Sequence, residues 1–230
     1  MANHAIIVAA GQGSRFGGDL PKQFLLLRDR PILAHSLQRF EQSALIEKTV
    51  VVAAPAWLSY IEREIAGRFC CKKCKNVVAG GERRQDSVWA GLQALAPAAK
   101  DIVIVHDAVR PLFSLKLLER VVGGCEKFDG CIPALSLADT VKQVDGEVIT
   151  ATLARESLKL AQTPQAFRCE ALKRAFRRAQ RECVHGTDEA ALVESSGGRM
   201  CWVEGEISNL KITTPHDLKL AEFFMQEIEA

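Results

Sequence analysis

The first candidates for chemistry in this sequence are two cations beside a glycine-rich turn. The apolar stretch Ala5–Ala10 runs directly into Gly11-Gln12-Gly13-Ser14-Arg15-Phe16-Gly17-Gly18, and Pro21-Lys22-Gln23 follows. Glycines after a buried strand let backbone N–H groups close on phosphate oxygens, and Arg15 and Lys22 would flank such a cradle. The loop is not a Walker sequence, which would end in Gly-Lys-Ser/Thr. Its Gly-x-Gly-x-x-x-Gly spacing, with an extended Pro-Lys-Gln segment in place of an immediate helix, also separates it from a dinucleotide fingerprint and so disfavours a dehydrogenase.

Two more loops carry polar groups of the right kind. In Gly80-Gly81-Glu82-Arg83-Arg84-Gln85-Asp86-Ser87, the glycine backbone and Ser87 suit the reading of a base edge, although Asp86 or Ser87 could equally cap a helix. In His106-Asp107-Ala108-Val109-Arg110-Pro111, Asp107 and Arg110 suit ribose, metal or phosphate contacts, or a plain ion pair. Thr187 before Asp188-Glu189 reads as a helix N-cap with acids in the first turn. Lys211 reads as an outward lysine on an edge strand, and Pro164 after Thr163 as a bend in the chain.

The elements that must position these residues alternate along the chain. Strands are predicted at Ala5–Ala10, Thr49–Ala54, Asn76–Ala79, Asp101–His106, Cys131–Leu135 and Met200–Val203. Helices are predicted at Ile32–Ser43, Ala56–Arg68, Gln85–Ala94, Leu115–Lys127, Glu170–Glu182, Asp188–Ser196 and His216–Ile228. This alternation implies right-handed crossovers and an α/β fold: a Rossmann-like, mostly parallel twisted sheet flanked by helices. Ligands of such sheets bind outside the carboxyl ends of the strands, where the three loops above fall. One segment breaks the rhythm. Thr140–Thr152 reads as two short β runs around Asp145-Gly146, a hairpin signal because both residues tolerate positive φ. A hairpin this small needs support from the parent domain or a partner subunit. One domain over residues 1–230 is expected, including a β-arm at about 138–160.

Composition sets the broad class. The chain has 230 residues, of which 48% are apolar and 25% charged, so it can bury a substantial core. A net charge of +2 gives no sign of a nucleic-acid or membrane surface. The apolar runs are too short to span a bilayer, and the first residues lack the pattern of a signal peptide. A soluble, cytoplasmic protein with free thiols is expected. Cys70, Cys71 and Cys74 are three of eight cysteines, and without a second Cys-x-x-Cys pair they read as thiols on a lysine-rich surface segment, with no metal site assigned.

Taken in order, AAGQGSRF with PKQ, GGERRQDSV, HDAVRP, ADTVK, QTPQAF, TDEAALVE and NLKITTPHDLKLAE resemble the 2-C-methyl-D-erythritol 4-phosphate cytidylyltransferases from Ala5 to about Phe224. These are nucleotidyltransferases of the non-mevalonate isoprenoid pathway that transfer CMP from CTP to a polyol phosphate. The second block reads Gly-Gly-Glu-Arg-Arg where Gly-Gly-x-Glu-Arg is common. The resemblance implies that Ala9, Ala10, Gly11, Gly13, Ser14, Gly81, Ser87 and Ala108 line the nucleotide site, and that Arg15 and Lys22 are the catalytic pair. It implies Asp107, Arg110, Thr140, Arg155, Thr163, Thr187 and Lys211 on the sugar-phosphate side, and Mg²⁺ bound mainly through the triphosphate. It also implies a homodimer in which the arm carries Thr140 and Arg155 into the neighbouring subunit. A ribitol-5-phosphate cytidylyltransferase is the nearest alternative, and a non-catalytic nucleotide-binding protein is a rival from another class. Intact Arg15 and Lys22 argue against the latter.

Overall fold

Short apolar runs that alternate faces have to be buried on both sides, and here they meet in one sheet. A computed structural model of the chain describes residues 1–11 and 20–229. The proposed loop residues Gly13, Ser14 and Arg15 lie outside them. The strands are β1 (Asn3–Ala9), β2 (Leu26–Leu27), β3 (Arg30–Pro31), β4 (Ile46–Ala53), β5 (Cys74–Ala79), β6 (Ile102–Asp107), β7 (Gly130–Ser136), β8 (Val141–Asp145), β9 (Val148–Leu153), β10 (Lys159–Ala161), β11 (Gln165–Arg168) and β12 (Met200–Glu204). The helices are α1 (Ile32–Gln42), α2 (Leu58–Tyr60), α3 (Arg84–Leu95), α4 (Leu115–Gly124), α5 (Cys169–Glu182), α6 (Glu189–Ser195) and α7 (Pro215–Glu229).

The main sheet has the order β10-β7-β11-β6-β1-β4-β5, with β12 paired to β7. β1 pairs in parallel with both β4 and β6, β4 with β5, and β12 with β7. Only β10 and β11 run the other way. The expected mostly parallel α/β sheet is therefore present, with an antiparallel insertion that the helix-strand rhythm did not reveal. Residues alternate faithfully between its faces: Ala5, Ile7 and Ala9 of β1 join one core with α1 and α4 residues, while Ile6 joins a second with α3 and α5 residues. Burial of both faces explains why these strands read as continuous apolar runs.

Helix α3 lies unusually close to the sheet. A Cβ on Gly91 would come within 2.6 Å of Ile6 Cγ2 and 2.8 Å of Val52 Cγ2. This close approach brings the helix's first turn, with Arg84 and Ser87, to the carboxyl edge of β1. β10 and β11 form one interrupted antiparallel strand along β7. Ala161 faces Ala134 and Ala166 faces Cys131, so five steps on one chain match three on the other. The excess falls on Gln162-Thr163-Pro164, whose Thr163–Pro164 bond is cis.

Three expectations are corrected. The helix expected at Ala56–Arg68 is α-helical only over α2 and then widens into a π-helical stretch, Ile61–Gly67. The hairpin does form, from β8 and β9, but Asp145 pairs with Val148, so its turn residues are Gly146 and Glu147. Only Gly146 has positive φ, at 57°, which is the requirement of a turn with glycine at its first central position. Finally, although all eight cysteines are free, Cys71 is not a surface thiol. It is buried beside the core, and burial pushes its pKa up to about 12. No helix among the described residues is long and apolar enough to cross a membrane.

Candidate active site

The carboxyl ends of β1, β5 and β6 open on a cleft lined by Ala9, Ala10, Gly11, Lys22, Gly81, Ser87, Asp107, Ala108 and Lys211, together with Gln23, Glu82, Arg83 and Arg84. The chain leaves β1 and then turns back at Lys22–Phe24. The buried Gln23 secures this turn: its Nε2 donates to Ala9 O at 2.7 Å and Gly11 O at 3.2 Å. Lys22, the next residue back, is thereby held on the cleft wall.

The second wall depends on glycine for space. A Cβ on Gly80 would meet Ser87 Oγ at 2.6 Å and Ala10 Cβ at 2.9 Å, and one on Gly81 would meet Asp86 Cβ at 2.5 Å. The missing side chain at Gly80 lets the loop close on Ala10 and Ser87, and the one missing at Gly81 leaves room for Asp86. Helix α3 follows at once. Its capping residue is Arg83, whose backbone N–H donates to Asp86 Oδ2 at 3.3 Å while its Nε reaches the same oxygen at 2.8 Å. Asp86 thus does the capping work considered for it in the sequence. Ser87 is buried, and its hydroxyl donates to Arg83 O at 3.1 Å.

The third wall is the turn after β6, and a chain of hydrogen bonds sets its shape. The Asp107 N–H donates to Thr163 Oγ1 at 3.0 Å, and Thr163 Oγ1 lies 3.0 Å from His106 Nδ1. His106 Nε2 lies 3.0 Å from Arg110 O. A carbonyl only accepts, so Nε2 carries the ring proton, Nδ1 accepts, and the Thr163 hydroxyl donates to it. The ring is fully buried against Phe40 and Phe113. Burial outweighs the nearby Asp107 charge and lowers the His106 pKa to about 3, so the imidazole is neutral. Ala108 is stitched in by its N–H to Val8 O at 3.1 Å and by Ser36 Oγ to its carbonyl at 2.9 Å.

Asp107 is the electrostatic centre of the cleft. Its Oδ2 lies 2.8 Å from Lys211 Nζ and 3.8 Å from Arg110 Nε, and its Oδ1 lies 3.3 Å from Arg84 Nε. Burial would raise its pKa, but Arg84, Lys211 and Arg110 together hold the carboxyl well below the usual range. Lys211 is delivered from afar. The Asn209 side chain donates to Thr163 O at 2.8 Å, Gln162 Nε2 donates to Glu206 O at 2.9 Å, and Arg110 Nη1 donates to Asn209 O at 2.8 Å. Ile212 N–H closes on Val109 O at 2.9 Å. Lys211 is therefore an ion-pair partner in the cleft and not an outward lysine on a strand edge.

A family model described as 2-C-methyl-D-erythritol 4-phosphate cytidylyltransferase matches residues 3–227. A protein of that name from Geobacter metallireducens is 42% identical over 229 residues, covering 99% of both chains. One from Geotalea uraniireducens is 40% identical over 227 residues, 98% of this chain and 97% of the other. The chain belongs to the 2-C-methyl-D-erythritol 4-phosphate cytidylyltransferase family. Solved cytidylyltransferase structures of the family agree with the fold. The Francisella tularensis enzyme superposes with a TM-score of 0.81 at 33% identity, covering 97% of this chain and 99% of that one. The Thermus thermophilus enzyme gives 0.79 at 32%, covering 98% and 100%.

Of the residues expected at the site of this cytidylyltransferase, the catalytic candidate Lys22 and the binding candidates Ala9, Ala10, Gly11, Gly81, Ser87, Asp107, Ala108 and Lys211 line the cleft. Arg110 and Thr163 stand in contact with Asp107 from outside that lining. Thr140, Arg155 and Thr187 do not join it. Thr140 and Arg155 are exposed at the base of the arm, where Arg155 Nη1 donates to Ala138 O. Thr187 is exposed, and the helix cap is Asp188, which accepts from Ala191 N–H at 2.9 Å. Residues not singled out from the motifs also belong to the site: Gln23, Arg84, His106, Gln162, Glu189 and Asn209. Several sit beside assigned residues in the same motifs, yet their partners are distant in sequence.

Proposed function

We propose that this cleft catalyses attack of a methylerythritol 4-phosphate oxygen on the α-phosphorus of CTP, releasing pyrophosphate and forming 4-diphosphocytidyl-2-C-methyl-D-erythritol. The observation that carries the proposal is the convergence of Lys22, Arg83, Arg84 and Lys211 on one cleft, against Glu82 and Asp107 as its only carboxylates among the described residues. An excess of cations at the carboxyl end of a parallel sheet suits a polyanion such as a triphosphate meeting a phosphate monoester. The acceptor phosphate has a second pKa of about 6, so at neutral pH it is mainly a dianion and already a nucleophile. No general base is required. The neutral, fully engaged His106 is consistent with this, because it has no proton-accepting site left for substrate.

The protein's task is then to bring two anions together and to meet the charge that develops on the α-phosphate oxygens. Lys22 and Arg15 take that role, while Gly81, Ser87 and Ala108 shape the nucleotide side. Asp107 and Lys211 orient the acceptor, with Asp107 suited to accept from its hydroxyls. Mg²⁺ fits this cleft as a passenger of the triphosphate. Asp107 is already paired to cations, and Glu82 is the only lining carboxylate without an ion pair among the described residues. When bound, the ion would neutralise triphosphate charge.

The arm supports a homodimer with shared sites. Val144, Val148, Ile149 and Leu153 are exposed on β8 and β9, with Ile149 at 61%, an apolar surface that isolated hairpins do not sustain in water. Thr140 and Arg155, exposed at its base, would enter the partner's cleft. The assignment is tested by pyrophosphate release from CTP and Mg²⁺ with each of two acceptors. The expected kcat/KM for methylerythritol 4-phosphate exceeds that for ribitol 5-phosphate by at least about 10²-fold, the scale of one specific hydroxyl contact plus one methyl pocket. The reverse preference would overturn the acceptor assignment.

A further inference from the structure

Arg84 lines the cleft, but two carboxylates fix its guanidinium before any substrate arrives. Nη1 lies 2.8 Å from both oxygens of Glu189, and Nε lies 3.3 Å from Asp107 Oδ1. The third nitrogen, Nη2, makes no hydrogen bond among the described residues, and the side chain keeps 28% of its surface exposed. Glu189 is different: it is 1% exposed at the first position of α6 and is absent from the cleft lining. It cannot touch a substrate there, so any effect it has on the reaction passes through Arg84.

A buried carboxylate needs a compensating partner, since an ion pair with one member removed leaves an unpaired charge in a poor solvent. Glu189 meets that need with both oxygens on one nitrogen, and the arrangement leaves Arg84 little freedom to turn. A guanidinium held at Nε and Nη1 presents Nη2 in a fixed direction because the group is planar. Fixed donors aimed at phosphate are what catalysis between two anions requires.

We propose that Arg84 is a further phosphate-binding residue of the cleft, with Nη2 donating to a substrate phosphate oxygen, and that Glu189 is a positioning residue that acts through Arg84. The inference rests on the nucleotidyl-transfer reading above. Asp107 is part of the same clamp, so Arg84 also couples the phosphate contact to the Asp107–Lys211 pair that faces the acceptor.

The test compares wild-type protein with Arg84→Lys, Glu189→Gln and the double variant, in steady-state pyrophosphate release from CTP and Mg²⁺ with methylerythritol 4-phosphate. A silent wild type would defeat the parent reading before the variants matter. With an active wild type, Arg84→Lys keeps the charge but cannot span both carboxylates. It is expected to raise the KM of one substrate on the order of 10- to 100-fold, the scale of one hydrogen bond between charged groups, with a much smaller change in the other. The substrate affected tells whether CTP or the acceptor supplies the phosphate. Glu189→Gln is expected to raise the same KM, and the double variant to be no worse than Arg84→Lys, because the two residues act as one unit. A purely structural role would lower the amount of folded protein and leave the KM of the remaining active sites unchanged. Unchanged KM values in folded Arg84→Lys, or losses that multiply in the double variant, would overturn the inference. Should Glu189→Gln not fold, Glu189→Asp, which withdraws the carboxylate by one methylene, replaces it with the same expectation.

Discussion

Individual side chains around this cleft divide into those that line it and those that hold the lining residues in place. Lys22 belongs to the first, held by the turn that Gln23 ties to Ala9 and Gly11. If Lys22 meets charge that appears only as the α-phosphate is attacked, Lys22→Ala should lower kcat on the order of 10²–10³-fold, as removal of one preorganised donor does. CTP affinity should change far less. Steady-state kinetics together with CTP titration of the folded variant measure both, and a kcat within a few-fold of wild type would leave Lys22 a structural residue. Thr163 and His106 belong to the second group. The bond from Asp107 N–H to Thr163 and the contact between Thr163 and His106 hold the turn that aims Asp107, and none of these bonds depends on bound substrate.

At the level of elements, the β8–β9 arm is the part whose form and surroundings do not match. It is regularly paired, it turns at Gly146, and it carries a bulge between Gln143 and Val144, yet most of its residues are exposed. The proposed shared site across a dimer would account for that. Arg155→Ala and Lys22→Ala subunits, each nearly inactive alone, are expected to recover activity when mixed, because one hybrid site then contains both Arg155 and Lys22. The measurement is pyrophosphate release from heterodimers isolated with two affinity tags. No recovery in those heterodimers would remove the shared site while leaving each subunit's cleft as described.

For the molecule as a whole, acid should loosen the cleft before it titrates most carboxylates. An unfolded histidine has a pKa near 6.5, whereas His106 is lowered to about 3 by burial. Below pH 6.5 the unfolded chain therefore binds a proton that the folded chain does not. The stability that His106 contributes is full above pH 6.5 and declines as pH falls toward 3. His35, also lowered by burial, acts in the same direction. Urea unfolding from pH 7 to pH 4.5 should show stability falling by at most about 1.4 kcal/mol per pH unit for each such group. His106→Gln, although less stable at pH 7, should show a shallower slope. An unchanged slope would mean that His106 is protonated in the folded protein.

Local patterns were enough for the outline of the fold and for a set of candidate phosphate-binding loops, while the reaction itself came from the ordered motifs that resemble the cytidylyltransferase family. The apolar runs at β1, β4 and β6 are legible because a strand covered on both faces must be apolar throughout, those at β5, β7 and β12 by their short β-branched or apolar cores, and the helices between them because each buries one stripe. A glycine loop with flanking cations, and an aspartate with an arginine at a strand end, are legible as candidates because they fall at the carboxyl ends of strands, where ligands of parallel sheets bind. What lay beyond the sequence was set by contacts between distant segments. β10 and β11 are too short and too irregular to announce themselves, and only their pairing with β7 and β6 makes them strands. The Asp-Gly signal marked a hairpin, but the pairing of Asp145 with Val148 moved the turn by one residue. Glu189 reads as an acid favoured by a helix dipole, and from its neighbours alone Lys211 reads as a surface lysine, although the family resemblance puts it on the sugar-phosphate side. Folding brings Glu189 to Arg84, 105 residues away, and Lys211 to Asp107. Residue type and spacing specify what a group can do, whereas burial and the charge that ends up beside it, which decide what it does, exist only once the chain has packed.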